Sequence, residues 1–317
     1  MDSELRKQRL RESFFEDIAP IQSLLAQDIN DIMLVAPYGE SDVGQIYVSR
    51  GSFKHRANIA VTRGQALDMV QRFAAEAEVL LNREHPQMDS FSPHGGFRVS
   101  ASIPPASLFP TFSLRLHRQS KRTLEDYVRD RTVTEEGAAT LDRVSRGDQS
   151  LLVAGTMGSG KTTVMNACLR SMADARRVLT IEDTRELWTP NELCEQWFVQ
   201  NKMDDKRGQE WGDAIERAMR SNADRIVVGE IRKREPALTW IDAGLTGHPG
   251  IATIHAKNAE KALSRLWLLA KRADPAIDRE DVADIVGHVL YMTDRVPRLY
   301  RVDEVKGRRF ALTETRL

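Results

Sequence analysis

The chain has 317 residues, a length that suggests two domains, each large enough to bury a core of its own. Its 46 basic and 46 acidic side chains balance, so the total charge gives no support to nucleic acid as the main ligand. No apolar run approaches the roughly 18–20 residues of a membrane span, and the charged first residues lack the apolar stretch of a secretory signal, so we expect a cytoplasmic protein. The two cysteines, Cys168 and Cys194, are far apart, which favours a reducing compartment.

The front of the chain has the pattern of a small α+β domain. Thr62 and Gln65 form a capping-box pattern that predicts a helix running through residue 81. Short runs rich in β-branched and aromatic residues predict strands at 31–35, 45–49, 53–61, 97–103 and 112–117. A basic cluster on the predicted first helix is either a solvated face or a contact for anionic lipid or a partner: Arg6, Lys7, Arg9 and Arg11.

The segment 118–137 is highly charged and has no strand pattern, so we place the domain boundary there. The predicted organisation is an N-terminal domain over 1–119, a hinge over 120–133 and a second domain over 134–317. Thr134 is suited to cap the first helix of the second domain, because its hydroxyl can accept a backbone N–H of the first turn.

Beyond residue 134, apolar runs alternate with helical stretches. This pattern predicts an α/β fold whose parallel sheet is covered on both faces and binds ligands beyond the carboxyl ends of its strands. The predicted strands are 151–155, 178–181, 225–229 and 251–255. A hairpin of 297–305 and 308–315, turning at Lys306–Gly307, is predicted at the end of the sequence.

A phosphate-binding loop follows the first of these strands. Residues 155–162 read GTMGSGKT, which fits G-x-x-x-x-G-K-[ST] between a strand and a helix. The glycines let backbone N–H groups surround the phosphates of ATP at the positive end of the helix. Lys161 supplies a charge for the β- and γ-phosphates, and the Thr162 hydroxyl ligates Mg²⁺. The predicted nucleotide-binding residues are Gly155, Thr156, Gly158, Ser159, Gly160, Lys161, Thr162 and Thr163.

Acidic residues and a histidine follow the neighbouring strands. Glu230 comes just after the strand 225–229, where a carboxylate meets Mg²⁺ or its water shell. Glu182 follows the strand 178–181, where a carboxylate can polarise the water that attacks the γ-phosphate. Whether Glu182 or Glu230 orients that water stays open. His255 ends a third strand and is predicted to sense the γ-phosphate.

Three further residues allow two interpretations each. Asp183 and Glu186 follow Glu182 and are either part of the site or solvated carboxylates at a strand end. His248 belongs to the glycine-rich loop 244–250, which can approach a phosphate closely, and it is either part of the site or a structural group.

Taken together, these blocks resemble the secretion ATPase superfamily of type II, type IV and conjugative systems, and most closely its type IV secretion and conjugative-transfer (TrbB-like) branch with the Tad-pilus relatives. The resemblance is carried by GTMGSGKTT, by TIEDTREL as the Asp box, by AMRSNADRIVVGEIR as an atypical Walker B, and by TGHPGIATIHAKNAEKALSRL as the His box. In the front domain, PQMDSFSPHGGFRVSASIPPAS and FSLRLH match as well. Gly229 stands where an aspartate is usual, and the tetra-cysteine zinc element of type II motors is missing.

The resemblance implies a homohexameric ring in which an N-terminal domain is hinged to a RecA-like domain, with ATP and Mg²⁺ between them. It implies that Arg98 and Arg115 reach the phosphates, where a guanidinium stabilises transition-state charge. Arg220 and Arg232 are expected either to bridge to a neighbouring subunit or to form a salt bridge within the fold. The implied partners are inner-membrane components of a bacterial secretion, pilus or conjugation apparatus, with a peripheral association to that membrane and no direct nucleic acid.

Three other functions compete with an ATP-driven motor of an export apparatus. A RecA-like nucleic-acid motor requires stimulation by DNA or RNA, which the neutral charge does not favour. A ring that binds ATP mainly as a scaffold or switch requires slow hydrolysis. A small-molecule kinase requires an acceptor other than water.

Overall fold

The computed structural model divides into two compact units, Met1–Arg118 and Gln119–Leu317. It describes residues 9, 12–37, 39, 41–50, 53–92, 94–116, 122–172, 176–183, 185–199 and 207–317, with only the backbone of 207–209. The division lies next to the predicted boundary at residue 119, and the hinge role of 120–133 stays a prediction. Within the described ranges, no helix has the length and apolarity that a membrane span requires. Of the predicted basic cluster, Arg6, Lys7 and Arg11 lie outside the described residues.

The first unit is built on a six-stranded antiparallel sheet in the order β3-β2-β1-β6-β5-β4. Its strands are β1 (Asp31–Val35), β2 (Val43–Arg50), β3 (Phe53–Thr62), β4 (Gln87–Ser92), β5 (Phe97–Ser102) and β6 (Thr111–Leu116). Helical residues at 12–17 precede the helices α1 (Ala19–Leu25) and α2 (Arg63–Glu76). The five predicted strands are confirmed, and β4 is an additional one.

Helix α2 begins where the capping box predicts and ends earlier than predicted. The Thr62 hydroxyl accepts the N–H of Gln65, whose side chain accepts the N–H of Thr62. The prediction that this helix continues to residue 81 is wrong, because it ends at Glu76 and Glu78 has a φ of 54°, outside the helical region. Apolar periodicity continues past Glu76 because the extended segment that follows still packs against the core of the unit.

One face of the first sheet carries the core of this unit. Strand residues Ile32, Leu114 and Val99 are buried there together with Phe73 of α2. Alternate residues point to the other face, and Asp31, Arg115 and Arg98 lie on it in neighbouring strands.

Part of the predicted linker is a folded piece of the second unit. Helix α3 (Leu124–Arg129) is capped by Thr123 and Asp126, which satisfy each other's backbone N–H groups. Leu124 and Tyr127 are buried in the same core cluster as the helix that follows. The segment was predicted to be linker alone because most of its residues are charged, although Leu124 and Tyr127 form a short apolar side.

The second unit contains an eight-stranded sheet in the order β14-β13-β12-β7-β11-β10-β8-β9. Its strands are β7 (Ser150–Gly155), β8 (Val178–Glu182), β9 (Cys194–Phe198), β10 (Arg225–Val228), β11 (Gly250–His255), β12 (Val286–Thr293), β13 (Val296–Lys306) and β14 (Arg309–Thr315). Its further helices are α4 (Glu135–Arg146), α5 (Lys161–Ser171), α6 (Arg207–Met219), α7 (Arg234–Leu245), α8 (Ala259–Ala273) and α9 (Arg279–Ile285). Thr134 caps α4 through the N–H of Gly137, as predicted.

The predicted parallel strands and the terminal hairpin are confirmed. Strands β12, β7, β11, β10, β8 and β9 run parallel, and β13 and β14 complete the sheet in the antiparallel sense. Both faces are covered, because Leu151 and Val153 of β7 pack in the core that contains α5, whereas Leu152 and Ala154 pack in the core that contains α7 and α8. Strands β9 and β12 were not predicted.

Candidate functional site

The glycines of the loop after β7 have backbone conformations that other residues reach only at a cost. Gly158 has a φ of 72° and Gly160 a φ of 96°, and Gly160 is the N-cap of α5. At Gly155, a Cβ atom would lie 2.5 Å from Ser159 Oγ and 2.7 Å from the Met292 carbonyl oxygen. The loop therefore favours glycine at all three positions, two of which, Gly155 and Gly160, are the glycines of the motif.

Lys161 is the first residue of α5 and is only 8% exposed. Its ammonium donates to the carbonyl oxygens of Thr156 at 2.8 Å and Gly155 at 3.3 Å, and it lies 3.3 Å from His255 Nδ1. Burial lowers the pKa of Lys161, and the nearby Glu230 carboxylate opposes that shift. The lysine is thus held at the loop by groups that a phosphate oxygen can replace as acceptors.

The order of the strands gathers the predicted residues at one edge of the sheet. Strands β7, β11, β10 and β8 are neighbours and parallel, so their carboxyl ends lie side by side. His255 ends β11 and is the register partner of Gly155. Glu230 follows β10, and Glu182 ends β8. Residues distant in sequence therefore meet at the loop that contains Lys161.

A chain of polar contacts runs along this edge. Because the Lys161 ammonium donates to Nδ1, the His255 ring has its proton on Nε2, which lies 3.1 Å from Glu230 Oε1. The other Glu230 oxygen accepts from Arg232 at 2.7 Å, and Arg232 also lies 3.6 Å from an Asp183 oxygen. Burial lowers the pKa of His255, and the hydrogen bond to Glu230 raises the pKa of Arg232.

The carboxyl group of Glu182 is held differently from that of Glu230. Glu182 is 3% exposed, and its Oε2 accepts the backbone N–H groups of Glu186 and Leu187, both at 3.0 Å. Its Oε1 is buried and has no hydrogen-bond partner among the described residues. Burial raises the pKa of Glu182 to about 8, although the two backbone N–H groups act in the opposite direction. A carboxyl group of this kind can take up or release a proton near neutral pH.

Gly229 is explained by the proximity of Glu182. A Cβ atom at Gly229 would lie 3.1 Å from Glu182 Cβ, which is a tight contact. The aspartate that is usual at this position in the resembling family would need the space that Glu182 occupies. Glycine in place of the usual aspartate at position 229 therefore allows the ends of β8 and β10 to pack closely.

The remaining loop residues lie at the start of α5. Ser159 is buried, and its hydroxyl donates to the Thr156 carbonyl oxygen at 2.9 Å. Thr162 and Thr163 are half-buried in the first turn of the helix. The described residues contain no group of three or more His, Cys, Asp or Glu that could hold a metal by themselves. Mg²⁺ needs only one or two protein ligands when phosphates and water complete its shell, so Thr162 with Glu230 is a fitting set.

The sequence left the loop 244–250 and His248 open between the site and a structural role, and within this chain the structure places them away from the phosphate loop. This loop enters β11 at its amino end, whereas the loop with Lys161 lies at the carboxyl end of the same sheet. Six strand residues separate the two ends, about 17 Å at the usual rise per residue. His248 N–H donates to the Ala243 carbonyl oxygen at 2.8 Å, so the residue belongs to the end of α7.

Arg98 and Arg115 lie in the first unit. They are register partners on the antiparallel strands β5 and β6, so their side chains emerge on the same face of the sheet. Arg115 Nε donates to Asp31 Oδ1 at 3.0 Å, and Ser49 donates to the other oxygen of that carboxylate at 2.5 Å. Their predicted contact with a phosphate stays a prediction.

The structure assigns contacts at the site to two residues whose roles the sequence analysis did not establish, Arg232 and Asn166. Arg232, for which a subunit bridge and an internal salt bridge were equally open, pairs with Glu230 and Asp183 within the fold. Asn166 was not predicted, although it is buried inside α5 and contacts the loop after β8. A buried asparagine in the middle of a helix is the signal that could have found it, since such a group needs partners.

A glycine loop around the amino end of a helix, at the carboxyl edge of a parallel sheet, defines the P-loop class of nucleotide-binding proteins. Over residues 58–290 the chain matches the family described as Type II/IV secretion system protein, and it belongs to that family. The predicted resemblance to secretion ATPases and the predicted α/β fold class are confirmed.

Two relatives agree with this membership, and a solved structure has a similar fold. A probable conjugal transfer protein TrbB of Sinorhizobium fredii is 33% identical over 243 residues, 75% of this chain and 72% of that protein. The conjugal transfer protein TrbB of Rhizobium radiobacter is 29% identical over 266 residues, 83% of this chain and 80% of that protein. The fold is similar to that of the pilus retraction motor PilT with bound ADP, with a TM-score of 0.62 at 18% identity over 93% of this chain and 80% of that chain.

Proposed function

We propose that this chain is a Mg²⁺-dependent ATPase that energises a type IV secretion, conjugative-transfer or pilus-type export apparatus. The observation that carries the proposal is the continuous set of contacts from Lys161 through His255 to Glu230 at the carboxyl edge of the sheet. Through these contacts, a γ-phosphate bound at Lys161 can affect Glu230, the carboxylate after β10, which lies two strands away from β7.

The loop and the first turn of α5 would hold the nucleotide. The backbone N–H groups of the loop and the Lys161 ammonium would bind the phosphates, and Lys161 would exchange the carbonyl oxygens of Gly155 and Thr156 for phosphate oxygens. Thr162 would ligate Mg²⁺ directly, and Glu230, whose oxygens already contact His255 and Arg232, would meet the ion through its water shell. When bound, the ion neutralises charge on the phosphates.

Between the two candidate bases, the contacts favour Glu182. Both oxygens of Glu230 are engaged, one with His255 and the other with Arg232. Glu182 has one oxygen fixed by backbone N–H groups and one buried oxygen without a partner among the described residues. Its pKa of about 8 is suited to proton transfer near neutral pH, so Glu182 would accept the proton of the attacking water.

The first unit would complete the reaction by closure. Arg98 and Arg115 share one face of its sheet, and we propose that this face meets the phosphates when ATP binds, with residues 120–133 as the hinge. Such closures would take place in a homohexameric ring, as the family resemblance implies. Sizing by light scattering with and without ATP tests the ring, and a monomer under both conditions would contradict it.

The partners would be inner-membrane components of the apparatus, since two relatives are conjugal transfer proteins. A peripheral association with the cytoplasmic side of that membrane is supported by the β2–β3 hairpin. Phe53 at its end is 81% exposed, Lys54 and Arg56 beside it are exposed as well, and residues 43–62 contain no Asp or Glu. Flotation with anionic vesicles tests this association.

The decisive experiment is ATP turnover by wild type and Lys161→Ala. We expect the variant to lose turnover by about 10²–10³-fold or more, because a preorganised positive charge on the phosphates is removed. Lys306→Ala, at an exposed hairpin turn of the same unit, should keep the wild-type rate. Wild-type hydrolysis by Lys161→Ala would refute the proposed ATPase site.

The competing functions are tested in the same assay. Stimulation of turnover by DNA or RNA would favour a nucleic-acid motor, and phosphate transfer to a product other than water would favour a kinase. Tight ATP binding would favour a scaffold or switch if turnover stays slow when partner proteins and membranes are present.

A further inference from the structure

Asn166 connects the nucleotide helix to the loop that follows β8. It lies in α5, five residues after Lys161, and is 1% exposed. Its Nδ2 donates to the Glu186 carbonyl oxygen at 2.7 Å, and its Oδ1 accepts the backbone N–H of Trp188 at 2.8 Å. One partner accepts and the other donates, so they fix the orientation of the amide.

The same loop holds Glu182 through a shared peptide group. Asn166 donates to the carbonyl oxygen of Glu186, and the N–H of Leu187 donates to Glu182 Oε2 at 3.0 Å. This carbonyl and this N–H belong to the same peptide bond. A trans peptide is planar, with its C=O and N–H directed to opposite sides. Asn166 and Glu182 therefore hold the two ends of one rigid unit.

From this geometry we propose that Asn166 is a positioning residue for Glu182. By fixing the 186–187 peptide it keeps the Leu187 N–H on Oε2 and leaves Oε1 free to meet the attacking water. A hydrogen bond to the carbonyl also polarises the peptide, which strengthens the donation by the N–H on its other side. The proposal rests on the function of Glu182 proposed above, and it links the position of that carboxylate to the helix that begins at Lys161.

Among the described residues, the titratable neighbours with the largest influence on the charge of Glu182 are Glu186 and Asp183 on its own loop, and Cys194 on β9 is close enough to be influenced by it. On β10 the adjacent residue is Gly229, which brings no charge. The two backbone N–H groups are the influences that lower the pKa of Glu182, so weakening them raises it further.

Asn191 provides a matched control. It is 7% exposed, its Nδ2 donates to the carbonyl oxygens of Met172 at 3.3 Å and Arg176 at 2.7 Å, and its Oδ1 accepts the Leu193 N–H at 2.8 Å. It anchors the same connection between β8 and β9 with a similar number of hydrogen bonds, but none of them involves a peptide that contacts Glu182.

The test is a double-mutant cycle of Asn166→Ala and Glu182→Gln, with Asn191→Ala as control and kcat measured from pH 6 to 9.5. In the wild-type background we expect Asn166→Ala to lower kcat by about 10- to 100-fold, with the KM for ATP within about threefold. In the Glu182→Gln background the same change should alter the residual rate by less than about threefold, because the group it positions is gone. The acid limb of the profile, near pH 8 in wild type, should move to higher pH in Asn166→Ala alone.

Each result has a definite meaning. An equal loss in both backgrounds, or the same profile in Asn166→Ala and Asn191→Ala, would overturn the positioning role and leave Asn166 a structural residue. Wild-type kcat in Asn166→Ala, with Glu182→Gln inactive, would overturn this inference alone. Wild-type turnover in Glu182→Gln would instead refute the proposed function of Glu182. If Asn166→Ala does not fold, Asn166→Ser, which keeps a small hydrogen-bonding side chain, replaces it in the same cycle.

Discussion

The two sheets of this protein present functional side chains by different means. In the second unit, neighbouring parallel strands place Gly155, His255, Glu230 and Glu182 side by side, and polar contacts join Lys161, His255 and Glu230. In the first unit, antiparallel pairing places Arg98 directly opposite Arg115 on one face. Two like charges in opposite positions do not stabilise a sheet.

This difference suggests different roles for the carboxyl edge of the parallel sheet and for the arginine face of the antiparallel sheet. At the edge of the parallel sheet, polar contacts hold Lys161, His255 and Glu230 together, and backbone N–H groups of its own loop hold Glu182. The arginine face of the antiparallel sheet has a different part in the proposed function, in which Arg98 and Arg115 meet the phosphates. We therefore expect the first region to set how nucleotide is bound and hydrolysed, and the second to respond to its presence.

The largest effect is expected on the arginine face. The double variant Arg98→Ala/Arg115→Ala should lose kcat by about 10³-fold or more, because arginines of this kind stabilise transition-state charge. Binding of a fluorescent ATP analogue should weaken much less, since Lys161 and the loop glycines are untouched. Turnover and analogue binding, measured on the full chain, check both parts.

The control for this prediction is Lys54→Ala, which removes another cation from the same sheet. It should leave turnover unchanged. The single variant Arg115→Ala should change the free energy of unfolding by no more than about 1 kcal/mol, because its ion pair with Asp31 is partly exposed. Wild-type kcat in the double variant would show that the two sheets do not cooperate in hydrolysis.

A second prediction concerns the stability cost of the buried Glu182 carboxyl group. The pKa of Glu182 is raised from an ordinary 4.5 to about 8, so the folded chain binds one more proton than the unfolded chain between these two pH values. Stability must therefore fall as pH rises through this window, by about 1.4 kcal/mol per pH unit at most. Glu182→Gln, which stays neutral, should match wild type near pH 5 and exceed its free energy of unfolding by about 2–4 kcal/mol at pH 8.5.

Urea unfolding of both chains at the two pH values measures the difference. Glu230→Gln serves for comparison, because its carboxylate is paired with His255 and Arg232 and its loss should destabilise the chain at both pH values. Equal stability of wild type and Glu182→Gln at pH 8.5 would mean that Glu182 is not a buried, costly carboxylate.

The smallest effects are expected within the loop. Gly155→Ala should reduce the free energy of unfolding by about 2–3 kcal/mol, because its Cβ would meet Ser159 and the Met292 carbonyl. Gly158→Ala has open space around it and only a positive φ to overcome, so its cost should be about 1 kcal/mol. Thermal unfolding of both variants checks the order, and an equal loss would mean that backbone conformation alone selects these glycines.

The sequence predicted much of the second unit because its signals are local. The alternation of apolar strands with helices, the loop GTMGSGKT and the acids after β8 and β10 can all be recognised within short windows. The edge strand β9 could not be found in this way, because CEQWF is largely polar and exposed and owes its conformation to pairing with β8. Strand β12 has an apolar run that could have been recognised.

In the candidate site, too, residues with local sequence signals were predicted, and contacts that depend on the order of the strands were not. Lys161, Glu230 and His255 follow from motif and position, whereas the contact of Arg232 with Asp183 requires the order of the strands. His248 stayed open at the sequence level because its glycine-rich loop drew attention, although a loop that precedes β11 enters the strand at the amino end, opposite the phosphate loop.

From sequence alone come the phosphate loop, the alternation of parallel strands with helices, and the residue types available to the site, because each depends on neighbours a few positions away. Only the tertiary structure decided that Glu230 is engaged on both oxygens, that Glu182 keeps one buried oxygen without a partner among the described residues, and that Asn166 holds the peptide that connects Glu182 to the nucleotide helix. These properties depend on which strands become neighbours and on which atoms lose contact with water, and both are settled when the sheet assembles.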